Sequence, residues 1–293
     1  VEHRLEGLDV EIVRGNVLNT AQVQDAVRGV DVVFHTAAIY RDWMPNPRGM
    51  YEVNLDGTFH VLEAARRARD VDTVVYTASM VALGRPPEGE LGNEQTPYEA
   101  WDVDFSYSRT KYLSKRIAED FAEWGLDVRI ICPGIVLGPG DLRPTPSGDL
   151  ICNVANGLAP GYTKGGGNFV DVRDAARVHV LAARKGEPGE TYLATAHNLT
   201  NKEFLQIVAE VADKKLKMMK LPVPFVRAYI KGLEFMATRR DTEPPMSSDF
   251  FQYSLRPSFY DNRKSIEELG ASYRRIEETV RDAIAYFDKR GLI

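Results

Sequence analysis

The stretch "VDVVFHTAA", residues 30–38, decides the reading of the fold. Its apolar side chains fill both alternating sets of positions, so a strand here reads as buried on both faces. That is the mark of a parallel sheet covered by helices. Working outward, strand-like and helix-like segments alternate. Upstream, "DVEIV" (9–13) reads as a strand and "TAQVQDAVRG" (20–29) as a helix with Thr20 as its N-cap. Downstream come a helix over roughly 49–69, the strand "DTVVYTAS" (72–79) and a loop rich in Pro, Gly and Glu at 84–97. A helix over 105–124 and the strand "LDVRIICPG" (126–134) follow. Such alternation predicts right-handed βαβ units and an α/β fold.

The second half is less regular. Residues 170–184 read as a helix with Asp171 or Asp174 near its N-terminus, where a carboxylate suits the helix dipole. "ETYLAT" (190–195) is a strand, and Thr200 with Glu203 has the spacing of a capping box. "KMMKLPVPF" (217–225) reads as strand then turn, followed by an amphipathic helix with Pro224 in its first turn. Residues 239–262 read as mostly irregular, and an amphipathic helix ending at Gly291 closes the chain.

Apolar content of 44% and charged content of 27% suit an ordinary globular chain of 293 residues. The net charge is −5, and over the whole chain Lys and Arg are dispersed, which argues against a nucleic-acid or anionic-membrane partner. Cys132 and Cys152 have no metal-ligand spacing, and no metal site is expected. Cys132, inside an apolar strand, reads as a buried reduced thiol, and this points to a reducing, cytoplasmic setting. No apolar run approaches the ~18 residues that span a bilayer. The opening "VEHRLEGLDVEIV" reads as the end of one element running into a strand, not as a targeting signal.

Chemistry concentrates at four places. Tyr107 and Lys111 stand four residues apart on the 105–124 helix, on one helical face. A phenol with a pKa near ~10 exchanges protons poorly at neutral pH, and a cation beside it favours the phenolate. Such a pair can pass a proton to or from a substrate oxygen. Ser79 lies just past a buried strand, at the carboxyl edge where open α/β sheets bind ligands, and can hydrogen-bond the same oxygen. "PGIVLGPGD" (133–141) follows the next strand and can approach a ligand closely. Asn54 interrupts a helical run, an inconsistency of the kind found at functional sites.

With these residues the chain resembles the extended short-chain dehydrogenase/reductase superfamily, its epimerase, dehydratase and dihydroflavonol-reductase-like group. "YSRTK" matches the Tyr-x-x-x-Lys, "YTASMVALG" the strand-end serine and "YEVNLDGT" the helix asparagine. "FHTAA", "CPGIVLGPGD" and "NFVDVRDAARVHV" match the turn at the cofactor, the loop over the nicotinamide and the later substrate-side segment. "YRDWMPNPRGMYEVNLDGT" and "RPTPSG" look most like bacterial reductase-like members, including hopanoid-associated sugar epimerases. The resemblance implies a Rossmann-type doubly wound parallel sheet with a smaller C-terminal substrate lobe. Residues 1–150 would form a partial dinucleotide-binding domain, and 151–293 mainly a substrate lobe interleaved with it.

It also implies NAD or NADP as cofactor, a small-molecule substrate and a homodimer formed through apolar outer faces of the helices around 50–69 and 105–124. Tyr107 would be the acid/base, Lys111 would lower its pKa and bind the nicotinamide ribose, Ser79 would orient the substrate oxygen, and Asn54 would hold active-site backbone or water. Asn16 and Val17 would lie near the adenine, Thr36, Ala37 and Ala38 would line the cofactor, and Pro133, Gly134, Ile135 and Val136 would cover the nicotinamide. Tyr40, Trp43, Met80 and Asn168 are candidate substrate residues.

Two departures bear on function. Gly167, in "KGGGNFVDV", stands where nucleotide-sugar epimerases usually carry an arginine for the diphosphate. This favours a smaller or less charged substrate, with sugar epimerisation or dehydration as the alternative outcome. Second, no G-x-x-G-x-x-G triplet occurs, and the matched region begins at the family's third strand. The first strand–helix–strand unit is absent from the sequence, and a catalytically silent binding protein is the corresponding alternative. Three accounts of the sheet compete: upstream residues complete it, "DVEIV" pairs directly with the 30–35 strand, or a partner chain donates strands.

Overall fold

The computed structural model describes residues 5, 7–99, 101, 103–142, 144–158, 161–240, 242–244 and 246–293. Helix α1 (Thr20–Ala26) comes first, capped by Asn19, whose side chain accepts from the Gln22 N–H. Thr20 is therefore helical and not the cap. Next are β1 (Val32–His35) and one long helix in three parts: α2 (Arg48–Tyr51), a π-helical turn (Glu52–Asp56) and α3 (Gly57–Arg67). Then follow β2 (Thr73–Thr77), α4 (Ser106–Glu123), β3 (Val128–Pro133), β4 (Ile135–Leu137), α5 (Pro146–Ala155), β5 (Gly166–Asp171) and α6 (Val172–Lys185). The chain continues through β6 (Thr191–Ala194), β7 (His197–Thr200), α7 (Asn201–Val211), α8 (Val223–Arg240), α9 (Ser248–Ser254), α10 (Arg263–Leu269) and α11 (Ile276–Asp288).

The main sheet has the order β1-β2-β3-β6, all parallel. One face carries Val74, Tyr76, Ile130 and Cys132, packed with Leu62 of α3 and Ala118 and Phe121 of α4. The other carries Val75, Ile131, Tyr192 and Ala194 under Val178 and Ala182 of α6. A smaller sheet, β4-β5-β7, packs with α5, α7 and α11 around Phe169, Phe204, Val208 and Phe287. Its β4 comes from the first half of the chain, directly after β3. Both cysteines are buried free thiols, as the apolar setting of Cys132 suggested. Among the described residues, no helix is long and apolar enough to cross a membrane.

Several expectations need correction. Residues 9–13 form no strand and pair with nothing in the sheet, and Val10, Ile12 and Val13 are exposed. Their alternation has strand character, but a strand needs a neighbouring edge to bond. The account in which this segment pairs with β1 therefore fails. Strand β1 is buried on one face only, through His35 and the half-buried Val33, while Val32 and Phe34 are exposed. It is the edge of the sheet, and α6 packs over β2, β3 and β6. "KMMKLPVPF" contributes only an isolated bridge between Tyr162 and Lys220. The stretch 239–262 contains α9, capped by Ser247, whose side chain accepts from the Phe250 N–H at 3.0 Å. The Thr200–Glu203 capping box is present.

Candidate active site

The ends of β1, β2 and β3 meet the first turns of α4 at one edge of the main sheet. β2 stops at Thr77, and the Ala78 N–H still bonds the Ile131 carbonyl at 2.7 Å. Ser79 is extended and caps a short 3-10 turn, Met80–Ala82. That turn also anchors α4, because the Ser108 hydroxyl donates to the Val81 carbonyl at 2.9 Å and lies 3.0 Å from the Tyr98 hydroxyl. Tyr107 occupies the first turn of α4 and Lys111 lies one turn further on. Ser79 and Tyr107 are thus positioned by the same few hydrogen bonds.

Ser79 stands beside the Tyr107 hydroxyl, and the Tyr40 ring meets the Tyr107 ring edge-on at 4.7 Å. Burial pushes the Tyr107 pKa up to about 12, with the Ser79 hydrogen bond opposing the rise. The Lys111 ammonium donates to the Thr77 carbonyl at 2.6 Å and to the Tyr76 hydroxyl at 3.3 Å, and lies 5.0 Å from the Tyr76 ring centre. Burial pulls its pKa down to about 8. The sequence expectation that Lys111 lowers the Tyr107 pKa is therefore not met in this arrangement. The cation is bound at the strand end, and desolvation decides the direction for the phenol.

Behind Lys111 lies a buried polar layer. The Tyr76 hydroxyl donates to Ser114 at 2.6 Å. The His35 imidazole lies 5.6 Å from the Tyr76 ring and 3.0 Å from the Thr58 hydroxyl. Burial, with the Lys111 charge second, holds the His35 pKa at about 4, so the ring is neutral. These residues escape sequence reasoning because Tyr76 and His35 sit inside runs that read as plain strand.

Asn54 is buried in the π-helical turn, a feature that favours functional sites. Its side-chain oxygen accepts from the Ile39 N–H at 2.7 Å, and its amide donates to the Ile39 carbonyl and to the Thr110 hydroxyl, each at 3.0 Å. One side chain thus ties the end of the 36–39 segment to the helix that carries Tyr107. Thr36, Ala37 and Ala38 lie just past β1, exposed at this edge.

The remaining expected residues divide. Pro133 is buried and Val136 exposed, and Ile135 is half-buried. Gly134 is a position of close approach, since a Cβ there would stand 2.6 Å from the Asn168 carbonyl oxygen. Asn168 itself is committed to the scaffold: it donates to Asn198 at 2.8 Å and accepts from the Ala196 N–H at 2.8 Å. Met80 packs in the main core, whereas Trp43 is half-buried. Asn16 folds back on its own loop, accepting from the Leu18 N–H at 3.0 Å. Val17 packs so closely on α3 that a Cβ at Gly57 would come within 2.7 Å of its methyl. Of "RPTPSG", Arg143 lies outside the described residues.

The nicotinamide end of a dinucleotide fits these residues. The exposed Thr36–Ala38 segment offers a shelf with no large side chain, and the buried Lys111 cation stands beside the Ser79–Tyr107 pair. The chain carries no glycine triplet for the pyrophosphate. The sheet, its helices and this edge define a Rossmann-type protein of the extended short-chain dehydrogenase/reductase class. Residues 2–194 match the model of the NAD dependent epimerase/dehydratase family. A putative dihydroflavonol 4-reductase of Synechocystis is 29% identical, over 99% of this chain and 85% of that protein. Sterol demethylase protein B of Methylococcus capsulatus is 32% identical, over 99% of this chain and 88% of its own length. A solved nucleoside-diphosphate-sugar epimerase from Pseudomonas aeruginosa superposes with a TM-score of 0.79 at 28% identity, over 99% of this chain and 87% of that one. The chain belongs to the NAD-dependent epimerase/dehydratase family, an enzyme family that works with NAD or NADP.

Proposed function

We propose that this enzyme transfers a hydride between NAD(P)(H) and a carbonyl or hydroxyl carbon of a small organic substrate, with Tyr107 as acid/base. The observation that carries the reading is Tyr107 placed beside Ser79 and walled by Tyr40, with a buried ammonium one helical turn away. The bound nicotinamide supplies or takes the hydride. Tyr107 stays protonated across the physiological range, which suits it to donate to the oxygen that becomes a hydroxyl. In the oxidising direction the proton moves the other way, and only the phenolate form of Tyr107 can accept it. Ser79 donates a hydrogen bond to the same oxygen. Lys111 would hold the nicotinamide ribose, while Asn54 keeps the 36–39 segment in register with α4. Replacing Tyr107 by Phe, which removes only the hydroxyl, is the test.

A small substrate is favoured over a nucleoside-diphosphate sugar. Gly167 is buried in β5, where a Cβ would stand 2.6 Å from the Ile135 Cδ1, so a longer side chain there must push the Ile135 side chain aside. The curated relative from Synechocystis is named a reductase, in keeping with this. The solved neighbour described as a nucleoside-diphosphate-sugar epimerase supports a second reading, oxidation followed by re-reduction on the other face. Net release of reduced cofactor with a simple alcohol distinguishes the two, because an epimerase shows no net redox.

A homodimer through α3 and α4 is part of the same reading. Phe59, Phe121 and Trp124 form an aromatic row with ring centres 5.5 and 5.0 Å apart, and Phe59 and Trp124 are exposed. Ion pairs of Glu63 with Arg66 and Arg67, and of Glu119 with Arg116, lie on the same two helices, so their outer faces are mixed and not purely apolar.

A further inference from the structure

Helix α8 is apolar on two sides. Its inner side, with Val223, Val226 and Ile230, packs against Phe251 and Leu255 of the α9 region. The opposite side exposes Phe225 at 76%, Tyr229 at 68%, Phe235 at 58% and Met236 at 44%. At 100° per residue, these four fall with Ala228 and Gly232 in one sector of about 120°, a continuous stripe along the helix. Single exposed apolar residues are ordinary, but a stripe of aromatics and methionine is not.

Charge surrounds the stripe. Residues 214–240 contain eight Lys and Arg and one acid, Glu234, a net of +7 in a chain whose total is −5. Glu234 is already bound to the N–H and hydroxyl of Ser248. Among the described residues, Lys214, Lys215, Lys217, Lys220 and Lys231 form no salt bridge. Lys202, Lys214, Lys215 and Lys217, with Glu210, line an open surface groove of about 570 Å³ formed by α7 and the segment that precedes α8 in the chain. Met219, in the same basic segment, is exposed as well.

We propose that α8 and the lysines before it form a docking surface for an anionic lipid bilayer. A helix lying in the interface buries an apolar stripe among the headgroups while flexible basic side chains reach the phosphates. Each juxtamembrane Lys or Arg adds attraction to acidic lipid. A second copy of this chain is the poorer occupant, because a two-fold contact sets +7 against +7. The inner side of the helix, away from the stripe, leads toward the active site. Glu234 holds Ser248, Arg41 pairs with Glu243 at 3.2 Å, and Phe250 and Tyr253 of α9 pack on Phe105, two residues before Tyr107.

The test is flotation of the full chain with vesicles of phosphatidylcholine alone or with about 30% phosphatidylserine, at low and high salt. The expected result is binding to the acidic vesicles, at least about tenfold weaker to the neutral ones and reversed by salt. The triple exchange Phe225→Ser, Tyr229→Ser, Phe235→Ser should abolish it. The exchange Lys214→Glu, Lys215→Glu, Lys217→Glu, on an exposed segment outside the helix, should weaken it at least about tenfold. Unchanged thermal melting certifies the variants' fold. No binding to acidic vesicles overturns the proposal, and so does binding that both variants retain. A triple serine variant that only dissolves an oligomer assigns the stripe to a contact between copies and overturns it too.

Discussion

The Lys111 ammonium is held 2.6 Å from the Thr77 carbonyl oxygen, at the point where β2 ends and the Ser79 turn begins. A buried cation bound by a backbone carbonyl and a phenol is placed by the strand, not by its helical neighbour Tyr107. Its lowered pKa means the charge is present below about pH 8 and lost above it. The kcat/KM profile of the free enzyme should therefore fall above about pH 8, well before the phenol titrates. Lys111→Arg should remove that alkaline limb while lowering overall activity. A limb unaffected by the exchange assigns it to another group.

Asn54 bonds both polar groups of Ile39 and the hydroxyl of Thr110. Asn54→Ala leaves the Ile39 N–H and carbonyl without that partner, each worth ~1 to 3 kcal/mol, while the Thr110 hydroxyl keeps the Tyr107 carbonyl. The expected result is a loss of about 3 kcal/mol in denaturant unfolding together with a fall in kcat. Stability close to wild type would show that the clamp is not needed.

Acid stability should report His35. Its pKa is depressed to about 4 in the fold against about 6.5 unfolded, so the unfolded chain takes up the proton first as pH falls. The contribution is complete above pH 6.5 and is lost between 6.5 and 4, by ~3 kcal/mol. Urea midpoints measured at pH 7, 5 and 4 should show the decline, and His35→Gln should flatten it.

Trp124→Glu places a charge in the exposed aromatic row of α3 and α4. If the homodimer forms there, sedimentation should show the variant as monomer at concentrations where the wild type is dimeric. A dimer that persists places the interface elsewhere.

The alternation of strands and helices was legible in the sequence because buried strands and long helices carry strong periodic signals. Residues 9–13 and β1 misled for one reason: a sequence pattern records which side chains suit burial, while actual burial needs a neighbour. Tyr107 and Lys111 stand out in the sequence by their four-residue spacing, Ser79 by its place just past a buried strand and Asn54 by interrupting a helical run. What Lys111 touches was not legible, because its partners are a carbonyl at Thr77 and a phenol at Tyr76 on another element. The basic stretch at 214–240 was hidden by the acidic total of the chain. Helix α9 was hidden by its length of seven residues, too short for a periodic signal.

The most direct measurement is steady-state turnover of Tyr107→Phe in the full chain, with nicotinamide cofactor binding measured alongside. The account predicts turnover lower by ~10²- to 10⁴-fold with cofactor affinity largely kept, since only the proton-transferring hydroxyl is gone. Turnover equal to the wild type would contradict a proton-transfer role for Tyr107.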